Sequence, residues 1–365
     1  MNKILSIAAA LLVSASAAAQ TLSPFGTVVK ASDSNIQYVG RIVFDNPDSP
    51  LFTYPGVQIR SGFTGTSLKM IAKPHSGYFM AQIDNGEAFK VAFNSERDSI
   101  VSLATALPEG THQVKLMYIS EGYDMRPEFR GFIVDKDHSL APAPTLPKRR
   151  IEFIGNSITC GYGVEATEAS APYQEETANH YYTYAARTAR NLDAVHITVA
   201  RSGIGVYRNY NGPKSGDKIN MNTEYTHTLL YDNKYEWDFS HFVPQVVCIN
   251  LGTNDTSTTG ADYDLLLKGY KNLYKQVREH YPNAKIVFLC GSMMRGEEDL
   301  PMAKKAMDTA VADAHNAGDK EVYRFDFAPQ TGDLGFGASW HPSYWQHEKM
   351  AGELTAYLRN LMKWW

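Results

Sequence analysis

A proline-rich stretch, Ala141 to Pro147, separates two parts of the chain that differ in hydrophobic pattern. Before it, residues 21–147 contain short apolar runs between turn signals, with no helical period of useful length. After it, apolar strand-like runs alternate with longer helical patterns, which is typical of a parallel sheet covered by helices on both faces. Alternating prolines favour an extended, fairly stiff linker. The pattern predicts an all-β domain at 21–147 and an α/β domain at 148–365.

The all-β domain is predicted to be a sandwich or jelly roll, because regularly spaced short strands favour two packed sheets. Asp84-Asn85-Gly86 is a tight hairpin signal between two of the strands. The clearest strand patterns occupy residues 36–44, 77–83, 88–93 and 112–118.

In the α/β domain, functional groups are expected just after the strands, because ligands of open α/β sheets bind outside the carboxyl ends of parallel strands. The predicted strands are 151–154, 195–200, 245–251, 285–291 and 322–327. The predicted helices are about 179–193, 262–280, 299–316 and 344–361.

The first 19 residues resemble a signal peptide. Lys3 gives a positive start, residues 4–13 form an apolar core, and Ala17 to Ala19 form a small-residue cleavage site. The apolar core is too short to span a bilayer as a helix, and no later run is long enough. The sequence therefore predicts an exported protein, periplasmic or secreted, that has no membrane partner.

Composition excludes several other classes of function. The net charge of -4 offers no basic surface for nucleic acid. The spacing of Cys160, Cys248 and Cys290 is not that of a metal site, so we expect neither a metal nor another cofactor. These three cysteines are expected to be small buried side chains, although one disulfide among them remains open.

Four short segments carry the chemistry of a serine hydrolase. Ser157 follows the first predicted strand of the α/β domain and is the candidate nucleophile, which needs a base to take its proton. His341 lies on a loop after the last predicted strand and is the candidate base, since an ordinary imidazole pKa suits that task. The oxyanion donors are predicted to be the backbone N–H groups of Ser157 and Gly205 and the side-chain amide of Asn254. Each residue alone is more often a helix cap or turn residue, but the four rarely coincide at strand ends.

At this point the chain resembles the SGNH, or GDSL, hydrolase superfamily. Residues 155–157 match its first motif, with Asn156 where Asp is commoner, and Gly205 matches the second. Residues 252–255, Gly-Thr-Asn-Asp, match the third motif, and His341-Pro342 match the last. The resemblance implies a three-layer α/β domain with a flavodoxin-like parallel sheet.

Two longer strings resemble carbohydrate esterase family 2 more narrowly. They are residues 155–163, with sequence GNSITCGYG, and residues 201–205, with sequence RSGIG. That family also has an N-terminal jelly roll, so the resemblance covers nearly the whole chain after the signal peptide. It implies removal of acetyl groups from plant polysaccharides such as xylan or glucomannan, without a metal.

One departure from the superfamily pattern concerns the third member of the triad. The two usual positions for an Asp before His341 hold Ala338 and Ser339. This predicts a Ser–His dyad, in which a backbone carbonyl or Ser339 orients His341. Asp326 and Asp333 are the nearest other carboxylates in the sequence, and structural roles are expected for both.

Substrate contacts are predicted from residues next to the motifs. Trp340 is a candidate aromatic wall for a sugar ring, with core packing as the alternative. Tyr162, Tyr207 and Arg208, with Asn209, are candidate cleft residues, although a structural salt bridge remains open for Arg208. The expected partner is an acetylated polysaccharide or oligosaccharide. The alternatives are a lipase or arylesterase of the same superfamily, and a glycan-binding protein without catalytic activity.

Overall fold

The structure, a computed structural model, describes residues 26–96, 99–258 and 260–365. The predicted signal peptide, residues 1–19, lies outside these ranges. Among the described helices, none combines the length and apolar character needed to cross a bilayer.

The first part of the chain is a β-sandwich. One antiparallel sheet has the strand order β1-β9-β4-β7, and the other has the order β10-β3-β8-β5-β6, with β2 paired to β3. The strands are β1 (Thr27–Lys30), β2 (Gln37–Val39), β3 (Gln58–Gly65), β4 (Leu68–Ala72), β5 (Gly77–Ile83), β6 (Phe89–Phe93), β7 (Ile100–Ala104), β8 (Gly110–Tyr118), β9 (Phe129–Val134) and β10 (Leu140–Ala141).

Alternation along the strands builds the sandwich core. In β3, Ile59 and Phe63 point between the sheets, and in β8 Val114 and Leu116 do the same. The opposite faces of these two strands carry polar residues and point away from the sandwich. The larger sheet is therefore able to pack its outer face against a second domain.

The second part of the chain is a five-stranded parallel sheet between two layers of helices. The sheet order is β12-β11-β15-β16-β17, the doubly wound order of flavodoxin-like proteins. The strands are β11 (Arg149–Gly155), β12 (Ala194–Ala200), β15 (Val246–Asn250), β16 (Lys285–Cys290) and β17 (Val322–Asp326), with a separate hairpin of β13 (His227–Leu229) and β14 (Asp232–Glu236). The α-helices are α1 (Ser157–Cys160), α2 (Tyr184–Asn191), α3 (Met221–Glu224), α4 (Tyr263–His280), α5 (Asp299–Asn316) and α6 (Tyr344–Met362). Both predicted fold classes are confirmed.

Each face of this sheet has its own apolar core. Helices α4 and α5 cover one face and bury Leu266 and Met307 against it. Helices α2 and α6 cover the other face and bury Tyr184 and Leu354. All three cysteines are buried and free, so the disulfide left open by the sequence does not form. The central strand β11 is thereby fixed on both faces and ends at Gly155.

The β-sandwich packs against the α/β domain through a buried polar contact. Arg41 Nη2 lies 3.1 Å from Glu152 Oε1, and both side chains are fully buried. Glu152 belongs to the central strand β11, so the sandwich reaches into the sheet that carries Ser157. Removing one partner of such a buried pair leaves an uncompensated charge, which is strongly destabilising.

Candidate active site

Ser157 begins helix α1 at the carboxyl end of the central strand. Asn156 caps that helix, and its side-chain oxygen accepts a hydrogen bond from Ile158 N at 3.0 Å. The backbone N–H of Ser157, at the first helical position, has no acceptor inside the helix. A short helix on a central strand therefore presents both the Ser157 hydroxyl and a backbone donor at the edge of the sheet.

His341 is brought to Ser157 by the segment before helix α6. Its Nε2 lies 2.8 Å from Ser157 Oγ, and its Nδ1 lies 3.0 Å from the carbonyl oxygen of Ala338. A carbonyl only accepts, so Nδ1 carries the proton and donates it to Ala338. Nε2 is then unprotonated and accepts the hydroxyl proton of Ser157. This is the arrangement that a general base requires.

A strained turn places the Ala338 carbonyl under the imidazole. Ser339 and Trp340 both have left-handed backbones, with φ of 50° and 57°. Such conformations cost about 1–3 kcal/mol each for residues other than glycine and persist only where the surroundings hold them. The surrounding loop does so, because the N–H groups of residues 338, 339 and 340 donate to carbonyls of Gly163, Ala171 and Ala169 at 3.0 Å each.

The carboxylates nearest in sequence have other partners. Asp326 forms ion pairs with Lys304 and Arg324, at 2.9 and 3.0 Å. Asp333 accepts a hydrogen bond from the Thr331 hydroxyl at 2.8 Å. Of the two acceptors expected for His341, the structure has the backbone carbonyl rather than Ser339.

Burial keeps His341 neutral. It lowers the pKa of His341 to about 4, against a smaller opposing effect of the hydrogen bond to the Ala338 carbonyl. Tyr162 stacks on the imidazole, with ring centroids 4.1 Å apart and planes inclined by 22°. In the part of the chain that the structure describes, no carboxylate raises the pKa of His341, so the neutral ring is favoured.

The prediction that Gly205 donates its N–H to the oxyanion is wrong. The N–H of Gly205 donates to Asn209 Oδ1 at 3.1 Å, and Gly205 lies outside the cleft lining. A Cβ at Gly205 would come within 1.8 Å of the Arg208 carbonyl, so this glycine serves backbone packing. Gly203 instead lines the cleft with a left-handed φ of 81°, and no hydrogen bond within the described residues occupies its N–H.

Asn254 lies at the cleft as predicted from its motif. One Nδ2 hydrogen is donated to the Ile204 carbonyl at 2.8 Å, which fixes the amide and leaves its second hydrogen for a ligand. The adjacent Asp255 is fully buried and accepts from the N–H groups of residues 206, 207 and 208 at 2.9–3.0 Å. The Asp255 carboxylate of the third motif thus holds the backbone that follows Gly205 of the second motif.

Three predicted substrate contacts are wrong. Asn209 lies outside the cleft lining, where its Oδ1 accepts from Gly205 N at 3.1 Å and its Nδ2 donates to the Ile219 carbonyl at 2.8 Å. Arg208 is fully buried and donates to the carbonyls of Gly212, Asp255 and Ser257 at 2.7–2.9 Å. Tyr207 belongs to the apolar core, and its hydroxyl accepts from Asp262 N at 2.9 Å. Both side chains hold loops together behind the cleft.

The other two predicted contacts line an open cleft of about 640 Å³ above Ser157 and His341. Tyr162 forms part of its wall beside the imidazole, and Trp340 is 52% exposed. Tyr210, 57% exposed, lines it as well and was not predicted. A cleft with exposed aromatic rings and many hydroxyl and amide groups suits a sugar better than a purely apolar ligand.

Comparison with known proteins identifies the family. Residues 38–144 match the carbohydrate esterase 2 N-terminal family, and residues 153–350 match the GDSL-like lipase/acylhydrolase family. A family two carbohydrate esterase from Clostridium thermocellum, solved in complex with cellohexaose, is 38% identical with a TM-score of 0.83. The match covers 90% of this chain and 100% of that one. The chain belongs to carbohydrate esterase family 2.

Two characterised relatives support this assignment. The cellulase/esterase CelE of Acetivibrio thermocellus is 38% identical over 90% of this chain, but the match spans 40% of CelE. An acetylxylan esterase / glucomannan deacetylase of Cellvibrio japonicus is 28% identical, and the match covers 94% of both chains. The family comprises carboxylic ester hydrolases.

One residue of this family 2 chain escaped the sequence prediction, because it comes from the other domain. Glu121 follows strand β8 of the sandwich and accepts hydrogen bonds from both the backbone N–H, at 2.6 Å, and the hydroxyl of Ser202. Ser202 and Gly203 both line the cleft. The sandwich therefore anchors the loop that carries a candidate oxyanion donor. A Glu three residues past a strand gives no sequence signal for this role.

Residues after strand β16 were also missed. Met293, Met294 and Arg295 line the cleft. The rule that ligands bind beyond strand carboxyl ends already pointed to them, because β16 lies next to β15 in the sheet. Among the described residues, no group of three or more His, Cys, Asp or Glu side chains could hold a metal ion.

Proposed function

We propose that this chain is a carbohydrate O-acetyl esterase that removes acetyl groups from plant polysaccharides such as xylan or glucomannan. Ser157 is the nucleophile and His341 is the general base. The observation that carries the proposal is the 2.8 Å contact between His341 Nε2 and Ser157 Oγ at the floor of an open cleft. The name of the relative from Cellvibrio, acetylxylan esterase / glucomannan deacetylase, supports the acetylated polysaccharide as substrate class.

The reaction follows from this geometry in two half-reactions. In the first, His341 Nε2 takes the proton of Ser157 Oγ while Oγ attacks the acetyl carbonyl carbon. The tetrahedral oxyanion receives hydrogen bonds from the N–H groups of Ser157 and Gly203 and from Asn254 Nδ2. The C–O bond to the sugar then breaks, and the sugar oxygen takes the proton from Nε2.

The second half-reaction repeats these steps with water. His341 Nε2 removes a proton from a water molecule, which attacks the acetyl carbonyl of the acyl-enzyme. The bond to Ser157 Oγ breaks, Oγ recovers the proton, and acetate leaves. The Ala338 carbonyl holds the imidazole in the same tautomer and stabilises its transient positive charge.

Trp340 and Tyr210 are proposed to border the sugar chain. Both rings are more than half exposed on the cleft, where a pyranose face has room to stack on either. The open cleft leaves the polymer free to continue beyond the acetylated residue.

Two alternatives make different predictions. A lipase or arylesterase of this superfamily would prefer longer acyl chains, whereas the proposed enzyme prefers acetyl. Turnover of nitrophenyl acetate and nitrophenyl octanoate separates them, and a preference for octanoate would contradict the proposal. A glycan-binding protein without catalytic activity would bind cello- or xylo-oligosaccharide but release no acetate from any member of a panel of acetylated polysaccharides.

Export is part of the proposal, since a polysaccharide substrate lies outside the cytoplasm. The signal peptide pattern of residues 1–19 supports it. N-terminal sequencing of the protein recovered from the periplasm or medium should start at Gln20. A product that retains Met1 and stays in the cytoplasm would contradict this part.

A further inference from the structure

A second cavity lies between the two domains, apart from the active-site cleft. Its volume is about 220 Å³, and it shares none of its lining residues with the cleft. One wall is the outer face of the larger sandwich sheet, with Arg60 and Lys115. The other wall comes from the end of helix α2 and the start of strand β12, with Arg190 and Asp193.

Two cations stand side by side on the sheet wall. Arg60 of β3 and Lys115 of β8 are direct cross-strand partners, so their side chains leave the sheet on the same face. Like charges in this arrangement repel each other. Burial lowers the pKa of Arg60, and burial together with the charge of Arg60 lowers the pKa of Lys115. The protein therefore keeps an unfavourable pair of positive charges at this wall.

Arg60 is buried without the partners that such a group requires. Arg60 is only 8% exposed, and its Nε has no hydrogen-bond partner among the described residues. Arg41 Nε also lacks a partner, but the terminal nitrogens of Arg41 donate to the His227 carbonyl and to Glu152, whereas the guanidinium of Arg60 has no hydrogen bond or ion pair with any described residue. Buried charges in proteins are normally paired, so an unpaired guanidinium facing a cavity indicates a missing anion.

The opposite wall adds a third cation at the mouth. Arg190 is exposed there, and its Nη2 donates to the Tyr181 carbonyl at 2.8 Å while the guanidinium lies 3.8 Å from the Tyr181 ring centroid. Asp193 also lines the cavity. No ion pair within 4.0 Å joins it to Arg60, Lys115 or Arg190 in the described part of the chain. The cavity lining thus has three cations and one carboxylate, and the excess positive charge lies on the sheet wall.

We propose that this cavity is an oxyanion-binding site that takes a carboxylate or phosphate group. A guanidinium presents several N–H donors in a plane that matches a carboxylate or phosphate, and Lys115 supplies a further donor. The volume admits one small anion or one sugar ring that carries a carboxylate. Arg190 of the α/β domain lines the same cavity, so an oxyanion that contacts it together with Arg60 and Lys115 ties the β-sandwich to the α/β domain.

The test is thermal unfolding of the full-length mature protein at constant ionic strength. Sodium chloride is replaced stepwise by sodium glucuronate, with glucose as the uncharged match, and then by sodium phosphate. Wild type is compared with Arg60→Gln, with Lys115→Gln, and with Lys136→Gln, a control that removes one exposed cation from another surface. A ligand that binds the folded state raises the melting temperature in a saturable way.

We expect saturable stabilisation of wild type and of Lys136→Gln by an oxyanion, and none by glucose. In Lys115→Gln the midpoint concentration should rise about tenfold or more, since one charge-assisted hydrogen bond is lost. Arg60→Gln should lose the response and, without ligand, be no less stable than wild type because it removes the unpaired buried charge. Saturation by glucuronate and phosphate alike identifies a site for small oxyanions, and saturation by glucuronate alone identifies a site for a carboxylate-bearing sugar.

Two results would overturn the proposal. One is equal stabilisation of wild type and Lys115→Gln, which would assign the effect to general exclusion of the salt from the protein surface. The other is a wild-type melting temperature that does not respond to either oxyanion. The readout is stability, so neither result depends on whether the esterase activity is found.

Discussion

At the scale of single residues, the candidate base is oriented by backbone rather than by a carboxylate. The left-handed turn at Ser339 and Trp340 brings the Ala338 carbonyl to His341 Nδ1. The sequence shows that the two usual Asp positions are vacant. It does not show which carbonyl replaces the carboxylate, because that depends on backbone angles that the distant loop 163–171 imposes.

Asp326→Asn, Asp333→Asn and Ser339→Ala should each change kcat only modestly, because none of these side chains accepts the Nδ1 proton of His341. Replacing a true triad Asp costs about 10⁴ in turnover in a serine protease. Steady-state kinetics on an acetyl ester, with the circular dichroism spectrum as a control for folding, measures the effect. A fall of three or more orders of magnitude in a folded variant would identify that residue as a third catalytic member.

The pH profile of kcat/KM should keep its acid limb near pH 4. His341 must be neutral to accept the Ser157 proton, and burial lowers its pKa to about 4. Activity is therefore retained as the pH falls through the ordinary histidine range and is lost as it falls through about 4. Short assays with a nitrophenyl ester, in buffers where the protein is shown to stay folded, give the profile. An acid limb between pH 6 and 7 would contradict the buried, neutral base.

The glycines and Arg208 show where motif matching fails at this scale. Gly203 and Gly205 are two residues apart, and either could donate its N–H to an oxyanion. The backbone around each glycine decides which N–H faces the cleft, and the sequence does not show this. Arg208 lies close in sequence to the Gly203–Gly205 motif, but hydrogen bonds to three carbonyl groups hold its side chain inside the protein. Sequence proximity to a motif does not give side-chain direction.

At the scale of secondary-structure elements, the five strands of the parallel sheet and three of the four predicted helices lie within two residues of their predicted bounds, whereas helix α3 and the β13–β14 hairpin were not predicted. Helices α4 and α5 begin and end within one residue of the predicted 262–280 and 299–316. Both helices are 18 residues long, and their apolar periodicity continues over the whole length. Predicted helix 179–193 starts too early, because residues 180–182 form a separate 3-10 turn before α2.

The β-sandwich was predicted less completely. All four strand patterns that the sequence showed belong to the larger sheet. The edge strands β1 and β7 of the other sheet were missed because they are four and five residues long and exposed or half-buried at nearly every position, so they lack a clear alternation. Short edge strands are typical of proteins that avoid edge-to-edge pairing.

Glu121→Gln should lower kcat about tenfold to a hundredfold with little change in KM. The neutral amide holds the 201–205 loop less firmly, and small displacements of catalytic groups cost about that much. Arg126→Gln is the matched control, since Arg126 also crosses between domains, to Asp232 at 2.9 Å, but does not contact the loop. Equal kcat values for the two variants would show that Glu121 serves only domain packing.

At the scale of the whole molecule, buried polar groups join the two domains. Besides Arg41 and Glu152, two histidines of the α/β domain take part: Gln58 Nε2 donates to the His196 carbonyl at 3.3 Å, and the N–H of His180 donates to the Ile119 carbonyl at 3.3 Å. Within the α/β domain, the Nε2 atoms of His180 and His196 lie 3.0 Å apart, and His180 Nδ1 donates to the Thr159 carbonyl at 2.7 Å. Burial lowers the pKa of both rings, that of His180 to about 4. These contacts could not be predicted from the sequence, because the residues are distant in the chain and follow no motif.

Buried histidines should make folding stability fall in mild acid. Burial lowers the pKa of His347 to about 3, and its Nδ1 accepts from Tyr184 N at 3.1 Å. The pKa of His347 is lower in the folded than in the unfolded protein. Above about pH 6.5 the ring is neutral in both states and does not affect stability. As the pH falls from there towards 3, the unfolded state binds a proton that the folded state does not, so stability is lost. Relative to His347→Gln, wild type should lose about 1.4 kcal/mol of unfolding free energy per pH unit. Denaturant unfolding at pH 6.5 and 5 measures this, and parallel curves for the two proteins would refute it.

The most direct test of the central claim is acetate release from acetylated xylan and glucomannan by wild type and Ser157→Ala. Ser157 lies on a helix end at the cleft, so the alanine variant should fold with an unchanged circular dichroism spectrum and melting temperature. We predict that wild type releases acetate from at least one of these polymers and that Ser157→Ala releases none above the buffer rate. Acetate release by folded Ser157→Ala at more than a small fraction of the wild-type rate would show that Ser157 is not the nucleophile.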